Sequence, residues 1–256
     1  MTAAAFLSDA DEMNRTLRAL CSHEVCVSAE HVARAIVSSG VASDAAAGWA
    51  VRTRSGWERG AGRATGSVTE EGGELEPIFD LASLTKPMTA FALARSGLSP
   101  SIPLGDVLEE ARGTASEGIS LELLLAHRAG LAAHLPLYEP LVSAAPFDRV
   151  ACLRLAANAR REDAAGTAPR GGFAPVYSDL GYVLVGEALA RVRGASAAGE
   201  ILERDIAAAL GRRDLGTART LRGRPEIAFD MSVRPTEVVP WRGGLVRGLV
   251  HDENAW

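Results

Sequence analysis

The stretch that decides the fold is FDLASLTK, residues 79–86, in which Ser83 stands three positions before Lys86. Positions i and i+3 of a helix lie on one face, so this spacing brings the hydroxyl and the amine together. Pro87 has no N–H and is tolerated only in the first turn of a helix. We therefore predict a helix over residues 83–95 with Ser83 at its N-terminus, where backbone N–H groups favour a developing anion.

Lys86 is the only lysine among 27 basic residues, all the others being arginine. A buried lysine can lose its proton near neutral pH, whereas arginine cannot. Lys86 could therefore accept the proton of Ser83, which makes Ser83 a candidate nucleophile and Lys86 its candidate general base. The alternatives are a surface lysine left by mutational drift and a chance serine three residues before it.

The composition excludes several classes of function. The chain has 256 residues, of which 47% are apolar and 23% charged, and a net charge of −5 without a basic block. We therefore expect no nucleic-acid partner and no membrane partner. The N-terminus lacks the basic segment of an export signal, so a cytoplasmic location is expected. Three cysteines without metal or redox spacing predict reduced thiols: Cys21, Cys26 and Cys152.

Patterns on either side of residues 79–86 predict an α+β fold. Residues 45–53 and 57–65, joined by Arg54-Ser55-Gly56, are typical of a β-hairpin. Residues 1–42 are expected to be helical, with Ser28 capping their second helix. A mostly helical lobe should follow, and residues 212–256 should be loop with at most one short strand. The helices predicted in the lobe cover residues 121–127, 147–160, 178–193 and 198–210.

Tyr177-Ser178-Asp179, at the predicted start of one helix, is the next candidate segment. A tyrosine beside a cationic lysine can relay a proton to a leaving group. The alternative is that the Tyr177 ring packs on the lobe and Ser178 is a plain N-cap. His127 and His134 are interpreted as a helix-end and a loop histidine. In the run HDE, residues 251–253, successive side chains of an extended chain point to opposite faces, which is poor geometry for binding one metal ion. No metal site is predicted.

Several segments, in this order, resemble the penicillin-recognising serine hydrolases, which include class C β-lactamases, low-molecular-weight penicillin-binding proteins and related esterases. One such motif is a weak signal, whereas four in family order are strong. The resemblance covers about residues 45–255, and Ala129 stands where the family usually has serine. The segments are FDLASLTK (79–86), LLLAHRAGL (123–131), YSDLGY (177–182) and, as the late segment, RPTE (234–237), WRG (241–243) and GLVHDENA (248–255).

The resemblance implies a β-lactamase/transpeptidase-like fold, an antiparallel sheet flanked by helices with a helical lobe. It implies that Ser83 accepts the acyl group, that Lys86 is the general base, and that Tyr177 relays protons, Lys86 and Tyr177 sharing the first transfer. Asp179 takes a substrate-binding position where many members have asparagine, and its carboxylate should raise the pKa of Lys86. The implied substrate is an ester, β-lactam or D-alanyl amide, small or peptidoglycan-like, and no cofactor is expected.

The end of the chain departs from the resemblance, because no His-x-Gly or Lys-[ST]-Gly, the family's third motif, occurs in the sequence. We expect missing C-terminal strands, a half-built oxyanion hole with low activity, and self-association through an exposed sheet edge near Trp49 and Val51. Two alternatives stay open: an impaired remnant or ligand-binding pseudo-enzyme, and a binding module completed by a second chain. The prediction is one incomplete domain, residues 1–256, made of segments 1–82, 83–99, 100–230 and 231–256.

Overall fold

The computed structural model describes residues 28–65, 76–250, 252 and 254, and it forms two compact units, residues 1–74 and 75–256. We call their described parts the hairpin unit and the helical unit. The helices predicted before residue 28, and Cys21 and Cys26, lie outside the described residues. That the two units make up a single domain stays a prediction.

The hairpin unit begins with helix α1, Ala29–Ser38, followed by strands β1, Asp44–Thr53, and β2, Gly56–Thr65. Ser28 caps α1 as predicted, because its hydroxyl oxygen accepts a hydrogen bond from the His31 N–H at 3.2 Å. The strands are antiparallel and pair from Asp44 opposite Thr65 to Thr53 opposite Gly56. The predicted hairpin is confirmed. Its second strand starts one residue early because Gly56, at φ 137°, already pairs.

Small side chains allow α1 to approach the hairpin closely. A Cβ on Gly62 would lie only 2.1 Å from the backbone nitrogen of Glu30, so only glycine fits there. The same face of the hairpin carries Trp49 and Val51 farther toward the turn, and these are 41% and 53% exposed. The buried residues of this unit are all alanines: Ala29, Ala33 and Ala45.

The helical unit contains most of the helices of the described chain. A 3₁₀ turn, Ala82–Leu84, leads directly into α2, and short 3₁₀ turns also cover Glu109–Ala111, Glu162–Ala164 and Pro240–Arg242. The α-helices are α2 (Thr85–Arg95), α3 (Leu104–Val107), α4 (Leu121–Leu125), α5 (Glu139–Val142), α6 (Arg149–Asn158), α7 (Asp179–Val192), α8 (Ala198–Leu202), α9 (Ala218–Arg222) and α10 (Phe229–Ser232).

Helix α7 runs through the centre of the core of this unit and packs against α4, α6 and α8. Its side chains Leu180, Leu184 and Leu189 are completely buried. Gly181 allows the contact with α4, since a Cβ there would lie 3.0 Å from the Leu124 carbonyl oxygen. The first turn of α7 is thereby fixed next to the end of α4.

The structure corrects several predicted boundaries. Helix α4 ends at Leu125 instead of residue 127, because His127 adopts φ 57°, which no α-helix contains. The helix predicted over 198–210 is α-helical only to Leu202 and then widens into a π-helical turn, Glu203–Ala207. Residues 212–256 were predicted to be mostly loop, yet they hold α9, α10 and the paired strands β3 (Val238–Val239) and β4 (Gly244–Leu245).

The last residue of α10 and the residues directly after it pair with the segment that leads to Ser83. The Ile78 N–H donates to the Ser232 carbonyl at 3.0 Å, and the Arg234 N–H donates to the Ile78 carbonyl at 2.8 Å. This short parallel bridge fixes the chain just before the 3₁₀ turn. In the part of the chain that the structure describes, no helix has the length and apolar character needed to cross a membrane.

Candidate active site

The backbone at residues 80–85 places Ser83 at the start of a helix. The Asp80 carboxylate accepts a hydrogen bond from the Ala82 N–H at 2.8 Å, and Ala82 takes φ 43°, an unusual value for a residue with a side chain. The Thr85 hydroxyl donates to the Ala82 carbonyl. The predicted helix over 83–95 is thus a 3₁₀ turn followed by α2, and Ser83 is exposed in its first turn.

Three of the candidate side chains meet at the Ser83 hydroxyl. Lys86 Nζ donates to Ser83 Oγ at 3.0 Å, and the Tyr177 hydroxyl lies 2.6 Å from the same oxygen. Tyr177 comes from a segment 94 residues away in the chain. These distances fall within the hydrogen-bonding range that a nucleophile and its proton acceptor require.

The fourth candidate, Asp179, lies beside Lys86. Its Oδ1 atom is 2.7 Å from Lys86 Nζ, and the Lys86 side chain is only 16% exposed. Burial lowers the pKa of Lys86, but the hydrogen bonds and charges of Asp179 and Tyr177 outweigh it, so the pKa lies above the ordinary value of 10.5. Lys86 is therefore an ammonium group at neutral pH, and Asp179 has the effect on its pKa that the sequence predicted.

The structure corrects the expected role of Ser178 as the N-cap of α7. This residue occupies the N-cap position, but its side chain makes no capping bond. Its hydroxyl instead donates to the Ala132 carbonyl at 2.6 Å, and the Asp179 N–H donates to the Ala133 carbonyl at 3.2 Å. The first turn of α7 is therefore held by residues 132 and 133, which directly follow the LLLAHRAGL segment.

Two aromatic residues that the sequence did not predict as site residues surround the cluster. The His127 ring lies 4.6 Å from the Tyr177 ring and 5.3 Å from the Tyr182 ring, between centroids. Lys86 Nζ is 4.8 Å from the Tyr177 ring centroid and 5.5 Å from that of Tyr182. The signal available in the sequence was their position inside the LLLAHRAGL and YSDLGY segments.

The late segment lies against the loop that follows α4. Trp241 stacks on Tyr138 with centroids 5.4 Å apart, and Asn254 Nδ2 donates to the Leu135 carbonyl at 2.8 Å. Asn254 also lies 3.4 Å from a ring nitrogen of the exposed His134. Among the described residues, no group of three or more His, Cys, Asp or Glu side chains could hold a metal ion, and Cys152 is a free thiol. Residues 251 and 253 lie outside the described part.

The sequence model of the beta-lactamase family matches residues 32–250, which is most of the chain. The chain belongs to the beta-lactamase family. The family assignment made from the ordered motifs is therefore confirmed. No curated protein sequence matches the chain.

Three solved class C beta-lactamase structures are similar to this chain. A class C beta-lactamase mutant is 18% identical, with a TM-score of 0.51, over 76% of this chain and 51% of that one. A class C beta-lactamase is also 18% identical, with a TM-score of 0.50, over 78% and 55%. A class C beta-lactamase from Rhodobacter sphaeroides is 22% identical, with a TM-score of 0.47, over 70% and 47%.

These likenesses bear on the fold of the chain alone. The first two confirm the predicted α+β, β-lactamase/transpeptidase-like class. The chain covers about half of the length of each of these three structures. What the chain does therefore has to be argued from its own side chains.

Proposed function

We propose that this chain is a serine hydrolase that transfers the acyl group of its substrate to Ser83 and then to water. The observation that carries the proposal is the position of the Ser83 hydroxyl, 2.6 Å from the Tyr177 hydroxyl and 3.0 Å from Lys86 Nζ. A serine hydroxyl is a weak nucleophile unless an adjacent group takes its proton. Membership of the beta-lactamase family supports the same chemistry.

The hydrogen bonds give each group a role. Lys86 Nζ donates to Ser83 Oγ, and either hydroxyl can be the donor between Ser83 and Tyr177. In the proposed reactive arrangement the serine hydroxyl donates to the Tyr177 oxygen. The reactive form of the Tyr177–Lys86 pair is the one that has first released a proton to solvent. As Oγ bonds to the acyl carbon, the Tyr177 oxygen takes the Ser83 proton, and the pair passes it to the leaving group as the bond between that group and the acyl carbon breaks. The Ser83 N–H, in the first turn of the helix, stabilises the negative charge on the carbonyl oxygen. Water then attacks the acyl carbon with the same pair as base, and the proton of the water passes to Ser83 Oγ as the bond between Oγ and the acyl carbon breaks.

The substrate we propose is an ester, a β-lactam or a D-alanyl amide, as a small molecule or a peptidoglycan-like fragment. Each offers a carbonyl carbon with an oxygen or nitrogen leaving group. Asp179 accepts hydrogen bonds and donates none, so it would bind a donor group such as an amide N–H. A cytoplasmic location and self-association through the hairpin edge stay predictions.

A second candidate function is a ligand-binding protein that keeps Ser83 but turns over slowly. The observation that favours it is the Lys86–Asp179 pair, 2.7 Å apart, which keeps the proton on Lys86 and makes the lysine a poor base. Such a protein would be acylated slowly and would release the acyl group more slowly still.

The experiment is intact-mass analysis after exposure to a fluorophosphonate and to a fluorescent penicillin. We expect one adduct on the native chain and none on Ser83→Ala. The matched control is Ser55→Ala in the hairpin turn, which should label like the native chain. An adduct that survives Ser83→Ala contradicts the proposal. Turnover of nitrocefin or a chromogenic ester then separates the hydrolase from the ligand-binding protein, which would stay acylated.

A further inference from the structure

His127 is bonded to the backbone on both sides of Tyr177. Its carbonyl oxygen accepts a hydrogen bond from the Val176 N–H at 3.0 Å, and its ring atom Nδ1 accepts one from the Ser178 N–H at 3.1 Å. One residue thus holds the N–H of the residue before the tyrosine and the N–H of the residue after it. Moving the backbone at residues 176–178 away from His127 would break these bonds.

The ring bond fixes the state of the histidine. Nδ1 can accept a hydrogen bond only when it carries no proton, so the imidazole is neutral with its hydrogen on Nε2. Burial and the positive charge of Lys86 lower the pKa of His127, which agrees with this state. The titratable groups that act on or contact the ring are Lys86, Asp179, Tyr177 and Tyr182.

The histidine is itself held rigidly. It follows α4 with φ 57°, and its N–H donates to the Leu124 carbonyl at 3.1 Å. Leu124 is buried in the core against Gly181 of α7. The bonds to residues 176 and 178 therefore connect Tyr177 to the core of the helical unit, although the Tyr177 side chain is 51% exposed.

We propose that His127 is the positioning residue for Tyr177: its neutral ring holds the Tyr177 hydroxyl on Ser83 through the Ser178 N–H. This inference rests on the proposed function, in which Tyr177 takes part in proton transfer. His127 does not touch the reacting atoms and acts only through the tyrosine. Losing its ring acceptor should displace the Tyr177 hydroxyl and slow acylation of Ser83 by about 10- to 100-fold.

Two substitutions at residue 127 test the hydrogen-bond acceptor of the ring separately from the positive φ of the backbone. Glycine and asparagine both tolerate a positive φ, so neither should strain residue 127. His127→Asn keeps an acceptor oxygen at the place of Nδ1, whereas His127→Gly removes it. We expect His127→Asn to acylate within about threefold of the native rate and His127→Gly to show the full loss. His134→Gly, at the exposed histidine seven residues on, is the matched control and should leave the rate unchanged.

A double-mutant cycle distinguishes positioning from a general structural role. The rate of fluorophosphonate labelling, scaled to folded protein from a thermal melt, is measured for His127→Gly alone and together with Tyr177→Phe. If His127 acts through Tyr177, His127→Gly causes no further loss of labelling rate in a chain that already carries Tyr177→Phe. Equal losses in both backgrounds would overturn the proposal. Equal rates for His127→Asn and His127→Gly would overturn it too.

An NMR experiment reports the position of Tyr177 without depending on the reaction of Ser83 with fluorophosphonate. The chain has three tyrosines, so ring-labelled tyrosine gives three NMR signals that single Tyr→Phe variants assign. The nuclear Overhauser effect between the Tyr177 ring and Lys86, the only lysine, whose Nζ lies 4.8 Å from the ring centroid, should be lost in His127→Gly and retained in His127→Asn; the same effect in both variants overturns the inference. If the native chain takes up no label, the proposed function fails, and the NMR experiment alone decides whether His127 holds Tyr177.

Discussion

The hairpin unit and the helical unit are stabilised in different ways. The hairpin unit buries only alanines and leaves Trp49, Val51 and Trp57 between 41% and 62% exposed. The helical unit buries a continuous cluster of leucines around α7 and places the candidate catalytic side chains at one end of that helix. The candidate catalytic side chains are thus carried by elements that pack in this core, as expected for side chains that must hold their positions to within a fraction of an ångström.

The largest expected effect comes from opening the core of the helical unit. Leu184 is completely buried in α7, so Leu184→Ala should cost about 2–5 kcal/mol of the free energy of unfolding. Denaturant titration followed by circular dichroism measures this. Leu155→Ala, on the exposed face of α6, is the control and should cost far less. A similar loss at both positions would mean that the helical unit is not tightly packed.

The next effect concerns the tight contact between Gly62 and α1 in the hairpin unit. Gly62→Ala would force a methyl group against the backbone of Glu30 and should destabilise the packing of α1 on the hairpin by about 1–3 kcal/mol. Hydrogen exchange of the amides in residues 44–65 measures the loss locally. Gly48→Ala is the matched control, because a Cβ there meets only the Gly60 carbonyl at an ordinary 3.6 Å. Unchanged protection in Gly62→Ala would contradict the described contact.

A smaller effect is expected on the stability at alkaline pH, where one ion pair of the helical unit is compared with one of the hairpin unit. The pKa of Lys86 is raised in the folded chain, so the pair with Asp179 stabilises the fold below the ordinary pKa of 10.5. That stabilisation is lost as the pH rises through the folded pKa. Asp179→Asn should lower the pKa of Lys86, so that the loss of stability begins at a lower pH.

Thermal melts across the alkaline range test the prediction. Glu30→Gln removes the exposed Arg34–Glu30 pair of the hairpin unit and should leave the alkaline profile unchanged, because exposed pairs contribute little. An alkaline profile of Asp179→Asn that superimposes on the native one would show that Asp179 does not control the lysine.

The smallest effect on stability is expected at the exposed face of the hairpin. Val51→Lys should change the free energy of unfolding by no more than about 0.5 kcal/mol, because the side chain is already half exposed. A charge on that face should nevertheless reduce the self-association predicted for the hairpin. Sedimentation velocity at several concentrations measures it. A native chain that stays monomeric throughout would refute the predicted self-association.

The parts of the fold that local rules determine could be predicted from the sequence. The hairpin, the Ser28 cap and the shared helical face of Ser83 and Lys86 each depend on residues close in the chain. The ordered motifs supplied Tyr177 and Asp179, which lie about 90 residues beyond Ser83. Their approach to Ser83 depends on how α7 packs, which no local pattern encodes.

What the sequence missed depends on contacts between distant residues. The His127 ring bonds to a backbone N–H 51 positions away, and the positive φ of this residue ends α4 early. Ser178 looked like an ordinary cap, yet its hydroxyl turns to a carbonyl 46 residues back. The sequence pattern does not predict helices α9 and α10, because they lie in an arginine- and proline-rich stretch with little apolar periodicity.

The shielded Lys86 ammonium has a practical consequence for anyone who works with this chain. Because it is the only lysine, isotope-labelled lysine yields a spectrum with a single side-chain signal, and that signal comes from the cluster around Ser83. Amine-reactive dyes would find only the chain terminus and this side chain, which is 16% exposed and ion-paired. Lys86 Nζ is therefore a built-in spectroscopic reporter on the surroundings of Ser83, and it needs no engineered label.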